Sequence, residues 1–357
     1  MDEGDASVAP TKNAVTWNDV TIPTKLSSGP WLTAYTWPAL ADRVARETVI
    51  LPICSISTAP DDIAKLGTLV MPPLFHEAMD RDLRDALIAR IKHCFPYMTG
   101  SRRRAKAPGR LEIVELPRRE SASTKRNPIV AFSIDTAVEE HGPHLPLATD
   151  RIQSYAVLQQ MEREFEGKVT LAPPLDYGQL LWGLPIGLTV DITADLVVRY
   201  TRGYADAISL LMNAAALYVV DTHGSAVHRQ AVQDGLRAVK THWIFRWLYE
   251  PLQDLTGARG DPHAGGAETA VIGRINPALV DRAWFPARVD ELEKHQLDLP
   301  RCLEMVKDMP KFIAFAESSG WNGIVGKIRN YDDLDGAAMF EKMCDAARKD
   351  IRSLLSS

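Results

Sequence analysis

The chain contains 357 residues, of which 46% are hydrophobic and 24% are charged, and its formal net charge is −5. A chain of this length can bury a substantial core, and this acidic balance gives no support for nucleic-acid binding. No apolar stretch approaches the roughly 20 residues that cross a bilayer, and the acidic N-terminus lacks the features of a secretory signal. We therefore expect a soluble cytoplasmic protein with no nucleic-acid or membrane partner, whose four widely spaced cysteines are free, buried thiols.

Apolar residues at helical spacing alternate along the chain with short apolar runs that are typical of buried strands. In chain order they predict a helix from Trp37, a strand over 49–53, a helix over 78–94, a strand over 129–134, a helix over 151–165, a strand over 169–171, a helix over 193–212, a strand over 217–221, a helix over 226–240 and a strand over 244–249. Strands connected by helices of this length predict an α/β fold with a mainly parallel sheet covered by helices on both faces.

Two parts of the chain depart from this alternation. Residues 1–30 are polar and are predicted to be loosely ordered, which leaves 31–357 as a single α/β domain. Residues 98–128 are charged and rich in turn formers, so we interpret them as an exposed excursion with a hairpin around 111–116. The alternative is a linker between a short N-terminal region and the main domain.

The segment with the clearest chemistry follows the strand predicted over 129–134. Within twelve residues it contains Glu139, Glu140, His141, His144 and Asp150. Glycine and proline between them predict an irregular loop whose side chains converge on one point. Carboxylate oxygens and imidazole nitrogens suit Zn²⁺ or Mn²⁺, and a carboxylate such as Asp150 can give one oxygen to each of two ions. An incidental cluster in a polar loop is the alternative.

Two further segments offer residues of the same types. His223 follows the strand predicted over 217–221, where ligand groups gather in parallel sheets. Asp261 and His263 lie in a loop that leads into a helix, and Glu268 lies about one turn into that helix. Taken alone, His223 could be a core histidine, and the other residues could be a charge pattern typical of a helix start.

Together the segments resemble the creatininase (creatinine amidohydrolase) family. The resemblance rests on the run 139–150, on Tyr177-Gly178, on Thr222-His223-Gly224 and on the run 261–269, which occur in the order and spacing of the family's motifs. It implies a three-layer α/β/α sandwich, a homo-oligomer that is often a hexamer, and a binuclear site that hydrolyses small amides. In that family the first motif follows the N-terminal strand closely, so we interpret about 56–128 as an insertion.

The resemblance also assigns roles to individual residues. Those that match metal ligands, for two Zn²⁺ and/or Mn²⁺ ions per chain, are Glu139, His141, Asp150, His223 and Glu268. Asp150 matches a bridging carboxylate and His263 matches a proton-transfer residue. Independently of the resemblance, Asp261 is predicted to orient His263. Creatininase itself has a glutamate ligand two positions after the second-motif histidine, where this chain has Ser225, and this difference argues against creatinine as the substrate.

Three residues are predicted to bind substrate: Tyr177, Trp182 and Ser225. Trp182 is a candidate for a pocket wall, and the alternative is an aromatic side chain packed within its loop.

The expected reaction is hydrolysis of a small cyclic amide or a related carbonyl compound. Two cations that share a water lower its pKa toward about 7, and the resulting hydroxide attacks a carbonyl. Protonation of the leaving group by His263 is typically worth about 10²–10⁴ in rate. One alternative is C–C bond hydrolysis of a cyclic ketone such as an oxidised inositol of the 3-dehydro-scyllo-inosose type. A second alternative is a non-catalytic, metal-stabilised assembly protein.

Overall fold

The computed structural model describes residues 17, 21–27, 29–99, 110–118, 125–256, 263–284 and 288–357. Within these residues the strands are β1 (Thr48–Cys54), β2 (Leu69–Val70), β3 (Leu74–Phe75), β4 (Arg110–Glu115), β5 (Asn127–Ser133), β6 (Val169–Leu171), β7 (Ala214–Asp221) and β8 (His242–Trp247). They form two sheets in which every strand pairing is parallel. In the first sheet β1 pairs with β4 along one edge and with β2 and then β3 along the other. The second sheet has the order β6-β5-β7-β8.

The described residues also contain α-helices. In chain order they are α1 (Trp37–Arg46), α2 (Pro60–Ala64), α3 (Arg81–Thr99), α4 (Thr149–Glu164), α5 (Ala194–Leu211), α6 (Ala226–Leu236), α7 (Gln253–Thr256), α8 (Gly266–Ile275), α9 (Val289–Lys294), α10 (Leu299–Met305), α11 (Met309–Ser319) and α12 (Gly336–Ser356).

The central strands of the second sheet are buried on both faces. Along β5, Phe132 packs into the core that contains Tyr204 of α5, whereas Ala131 faces the core that contains Tyr155 of α4 and Met343 of α12. Successive side chains of a strand point to opposite faces, so both layers of helices contribute a core. This arrangement confirms the predicted α/β sandwich with a mainly parallel sheet.

The predicted hairpin around 111–116 is wrong. Residues Arg110–Glu115 form one strand, β4, whose register runs in parallel with Thr48–Ile53 of β1, and Leu111 and Ile113 pack against the largest core cluster. The partner strand lies about 60 residues earlier in the chain, and no local pattern indicates such a pairing. Residues 100–109 and 119–124 of the predicted excursion lie outside the described residues.

Most of the other predicted elements are present, with ends that differ by a few residues. The helix predicted over 78–94 begins at Arg81 and continues to Thr99, and the strand predicted over 244–249 lies at His242–Trp247. All four cysteines are free and buried, as expected. Among the described residues, no helix has the length and apolar character needed to cross a membrane. Most of residues 1–30 lie outside the described part, so their predicted loose order stays a prediction.

Candidate metal centre

The candidate site lies where β5 and β7 end side by side in the second sheet. The chain leaves β5 through an irregular loop that ends at α4, and it leaves β7 through a short turn that ends at α6. Gly142 has a φ of 67°, and a side chain there would collide with the ring of His144, so glycine is needed for the loop to bend at this point. The loop therefore directs polar side chains toward the carboxyl edge of the sheet.

Two groups of ligand-type atoms meet at this edge, and Asp150 belongs to both. In the first group, Nδ1 of His223 lies 3.2 Å from Oε2 of Glu139 and 3.2 Å from Oδ2 of Asp150. In the second group, Nε2 of His141 lies 3.5 Å from Oδ1 of Asp150 and 3.9 Å from Oε2 of Glu268. All five residues are at most 5% exposed. The side chains named as ligands from the sequence are thus gathered in one buried cluster, and Asp150 presents a different oxygen to each group.

His263 forms a third grouping with Glu139 and His141. Its Nδ1 lies 3.2 Å from Oε1 of Glu139, and its ring lies 4.3 Å from the ring of His141 between centroids. The ring of Trp182 packs against the ring of His263 in a T-shaped arrangement, with 4.7 Å between the ring centroids. His263 is therefore placed beside both ligand groups.

Hydrogen bonds to main-chain carbonyls fix which nitrogen of each histidine carries a proton. Nδ1 of His141 lies 3.0 Å from the carbonyl oxygen of Glu139, Nε2 of His223 lies 3.2 Å from that of Gln179, and Nε2 of His263 lies 2.6 Å from that of Glu140. A carbonyl oxygen only accepts, so each of these nitrogens donates its N–H. In the neutral ring the opposite nitrogen is then unprotonated, and in all three histidines that nitrogen faces carboxylates. This is the arrangement by which proteins orient histidines that bind metals.

The same charges shift the pKa values within the cluster. Burial disfavours a charged imidazole, but the carboxylates of Asp150 and Glu268 outweigh burial and raise the pKa of His141 to about 10. Glu139 and Asp150 likewise raise the pKa of His223. Burial raises the pKa of Glu268 to about 8, even though His141 opposes that change. The negative charge of these buried carboxylates favours bound cations. Without a metal ion, protons on the imidazoles and carboxyl groups take that place.

Several buried residues around the cluster were not identified from the sequence. Oδ1 of Asp135 accepts hydrogen bonds from the main-chain N–H of Thr222 at 3.0 Å and from the hydroxyl of Ser154 at 2.8 Å. The hydroxyl of Thr222 donates to the carbonyl oxygen of Asp150 at 2.8 Å. Asp135 thus connects the turn that carries His223 to the helix that carries Asp150. No spacing rule distinguishes such residues from ordinary polar core residues.

The sequence profile of the family described as creatininase, creatinine amidohydrolase, matches residues 117–351, which is more than half of the chain and includes every residue of the cluster. The chain belongs to the creatininase family. Relatives in this family are metal-dependent hydrolases.

The individual proteins that resemble this creatininase-family chain match only part of its length. A mycofactocin precursor peptide peptidase from Mycobacterium ulcerans (strain Agy99) is 31% identical over 156 residues, which cover 40% of this chain and 57% of that protein. A crystal structure of creatinine amidohydrolase (creatininase) has 16% identity and a TM-score of 0.46, and the match covers 63% of this chain and 91% of the other. A structure named as the manganese form of creatininase has 14% identity and a TM-score of 0.44, with coverage of 62% and 91%.

The remaining site predictions concern residues at the border of the cluster. The Ser225 hydroxyl caps α6 by accepting the N–H of His228, and it donates to Oε1 of Gln179 at 2.9 Å. Tyr177 is buried in the largest core cluster, where its hydroxyl donates to the carbonyl oxygen of Pro72 at 2.7 Å. The predicted roles of Tyr177, Ser225 and Trp182 in substrate binding stay predictions. Asp261 lies outside the described residues.

Proposed function

We propose that this creatininase-family chain is a hydrolase that binds two divalent cations, zinc or manganese, and cleaves the C–N bond of a small cyclic amide. The observation that carries the proposal is the position of Asp150, whose two oxygens face two separate groups of buried ligand atoms. Glu139 and His223 would complete the first cation site, and His141 and Glu268 would complete the second.

The donor atoms fit such ions. Each group combines two carboxylate residues with one imidazole, a mixture that suits both Zn²⁺ and Mn²⁺. Nε2 of His141 is buried and has no hydrogen-bond partner within the described residues. An unsatisfied buried nitrogen is costly unless something charged occupies the space that it faces. Bound cations would supply polarisation of a substrate carbonyl and a lowered pKa for a water molecule.

His263 is the residue best placed to move protons. Burial and the neighbouring His141 charge hold its pKa well below the usual range, so the ring is neutral near pH 7. Its Nε2–H is anchored on the Glu140 carbonyl, which leaves Nδ1 free to accept the proton that the attacking water loses. The same nitrogen then protonates the leaving amine as the C–N bond breaks. The Trp182 ring packs against the His263 ring in a T-shaped arrangement and would limit the access of other water molecules to it.

The Ser225 position supports a substrate other than creatinine. Its hydroxyl is engaged in capping α6 and in the bond to Gln179, and serine is a poor metal ligand. Since a named relative is a peptidase, linear peptide amides belong in the substrate panel beside lactams and other cyclic amides.

The proposal also includes a cytoplasmic homo-oligomer, a hexamer by family resemblance, built from one domain over 31–357 with an insertion at about 56–128. Light scattering coupled to size-exclusion chromatography measures the oligomer size directly.

The test combines metal analysis with activity on the amide panel. The wild-type protein should hold about two ions per chain, and Asp150→Ala should lose both ions and all hydrolysis while circular dichroism still shows a folded chain. His141→Ala should lose one ion and the activity. His242→Ala, which removes an exposed histidine from β8, is the matched control and should behave as wild type. Fewer than one ion per wild-type chain, with no loss of stability on chelation, would refute the proposal.

A further inference from the structure

The stretch of chain just before α5 forms hydrogen bonds on both sides of Glu139. The hydroxyl oxygen of Thr189 accepts the main-chain N–H of Glu140 at 3.2 Å. The N–H of Val190 donates to the carbonyl oxygen of Val138 at 2.9 Å. The main chain that carries the Glu139 carboxylate is therefore held in place by the chain before α5.

The same stretch also holds the chain that contacts His223. Oδ1 of Asp191 accepts the N–H of Leu180 at 2.6 Å, and the N–H of the residue after Asp191 donates to the carbonyl oxygen of Gly178 at 2.9 Å. These two bonds bracket Gln179, whose own carbonyl oxygen lies 3.2 Å from Nε2 of His223. The stretch before α5 therefore supports two members of the first ligand group.

Asp191 is in turn held by α3, which lies within the segment proposed as an insertion. Arg90 of α3 donates through Nε to the main-chain oxygen of Asp191 at 2.9 Å, and a terminal nitrogen of the same guanidinium forms an ion pair with Oδ2. The thiol of Cys94, one turn further along α3, donates to the same main-chain oxygen at 3.3 Å. The side chain of Asp191 is 2% exposed and that of Arg90 is 20% exposed. A buried, charge-assisted pair with two donors constrains its partners more than a surface ion pair does.

We propose that Arg90 and Asp191 are positioning residues for the first cation site, so that α3 determines how tightly that site binds zinc or manganese. This inference rests on the proposed function. Neither residue belongs to a ligand group, and each acts through the main chain that it holds. The segment 56–128 thereby contributes to the metal centre without supplying a ligand.

The first site should depend on this support more than the second site does. Its members Glu139 and His223 are both carried or contacted by chain that the stretch before α5 holds. In the second group, His141 is linked to that stretch indirectly, through the carbonyl oxygen of Glu139, and Glu268 instead accepts the N–H of Ala264. Loosening the stretch should therefore lower the affinity of the two sites unequally.

Zinc competition titrations with a chromophoric chelator test this difference. His141→Ala isolates the first site, and His223→Ala isolates the second. Adding Arg90→Met to His141→Ala should weaken zinc binding by about 10-fold, whereas adding it to His223→Ala should weaken zinc binding by less than about 3-fold. A general loss of stability would affect both sites alike.

Three further variants separate the positioning role from the removal of a charge. Arg81→Met is the matched control, because Arg81 lies on the same helix and faces Asp85 across an exposed 3.9 Å ion pair, and it should leave both affinities unchanged. Asp191→Asn keeps an oxygen for the Leu180 N–H and should weaken the first site less than Asp191→Ala does. Arg90→Lys keeps the charge but not the two-donor contact, so it should restore part of the affinity that Arg90→Met loses.

Hydrogen exchange of the metal-free proteins provides a measurement that does not depend on zinc. The main-chain N–H groups of 178–192 should exchange at least about 10-fold faster in Arg90→Met than in Arg81→Met, and those of α12 should exchange at the same rate in both. Unchanged exchange over 178–192, unchanged zinc affinity of the first site, or equal weakening of the two sites would each overturn the inference while the proposed function stands. If the wild-type protein binds no cation, both fall. If Arg90→Met does not fold, the same comparisons with Arg90→Lys and Asp191→Asn decide the question.

Discussion

Replacing Asp135 by asparagine should change how the stability of the metal-free protein depends on pH. Asp135 is fully buried, and burial, together with the charge of Asp150, raises its pKa to about 7. In the unfolded chain an aspartate has a pKa of about 3.9. Between these two values the folded chain binds more protons than the unfolded chain, so the free energy of unfolding falls as the pH rises.

The size of the effect follows from the same two values. Stability that Asp135 contributes below about pH 4 is lost as the pH rises to about 7, and the full loss is about 4 kcal/mol. From pH 5 to pH 8 the expected loss is about 2–3 kcal/mol. The amide oxygen of asparagine accepts the bonds from Thr222 and Ser154 and does not ionise, so Asp135→Asn should escape this loss.

Urea unfolding in the presence of a chelator, followed by circular dichroism at several pH values, measures the difference. The free energy of unfolding of Asp135→Asn minus that of wild type should increase by about 2–3 kcal/mol from pH 5 to pH 8. Asp345→Asn, on the exposed side of α12, provides the baseline. A difference that stays constant with pH, or that shrinks as the pH rises, would show that Asp135 is ionised in the fold and that the reasoning is wrong.

Two other substitutions test the site and the packing. His263→Ala should keep its metal content and lose about 10²–10⁴ of its turnover, whereas a loss of metal would make His263 a ligand. Gly203→Ala should destabilise the protein by about 1–3 kcal/mol, because the added carbon would lie 2.1 Å from the main-chain oxygen of Ala78. Gly273→Ala is the matched control, because its added carbon meets only Val280 at 3.9 Å, and this change should stabilise α8 by about 0.5–1 kcal/mol. Equal effects of the two changes in thermal unfolding would contradict the packing argument.

The sequence was most informative where the signal is local. The apolar runs of β5 and β7 predict buried strands, and the convergence of His141, Asp150 and His223 follows from their positions after strands that end at one edge. The parallel pairing of β4 with β1 was missed because it depends on contacts between segments about 60 residues apart. A local pattern cannot indicate such a pairing.

The site residues that were missed share a different cause. Asp135 and His228 have no distinctive spacing, and their hydrogen bonds form only when three segments of the chain meet. His228, for example, accepts the N–H of Gln179 on one ring nitrogen and donates to the carbonyl of Ile134 with the other. A single sequence contains no signal for bonds of this kind.

The carbonyl groups of Glu139 and Glu140 have a consequence for how the centre assembles. They receive the ring N–H groups of His141 and His263, which come from segments more than 100 residues apart. A rotation of this one dipeptide would turn both imidazoles away from the carboxylates at the same time. Correct folding of this part of the loop is therefore expected to position His141 of the second ligand group and His263 at the same time.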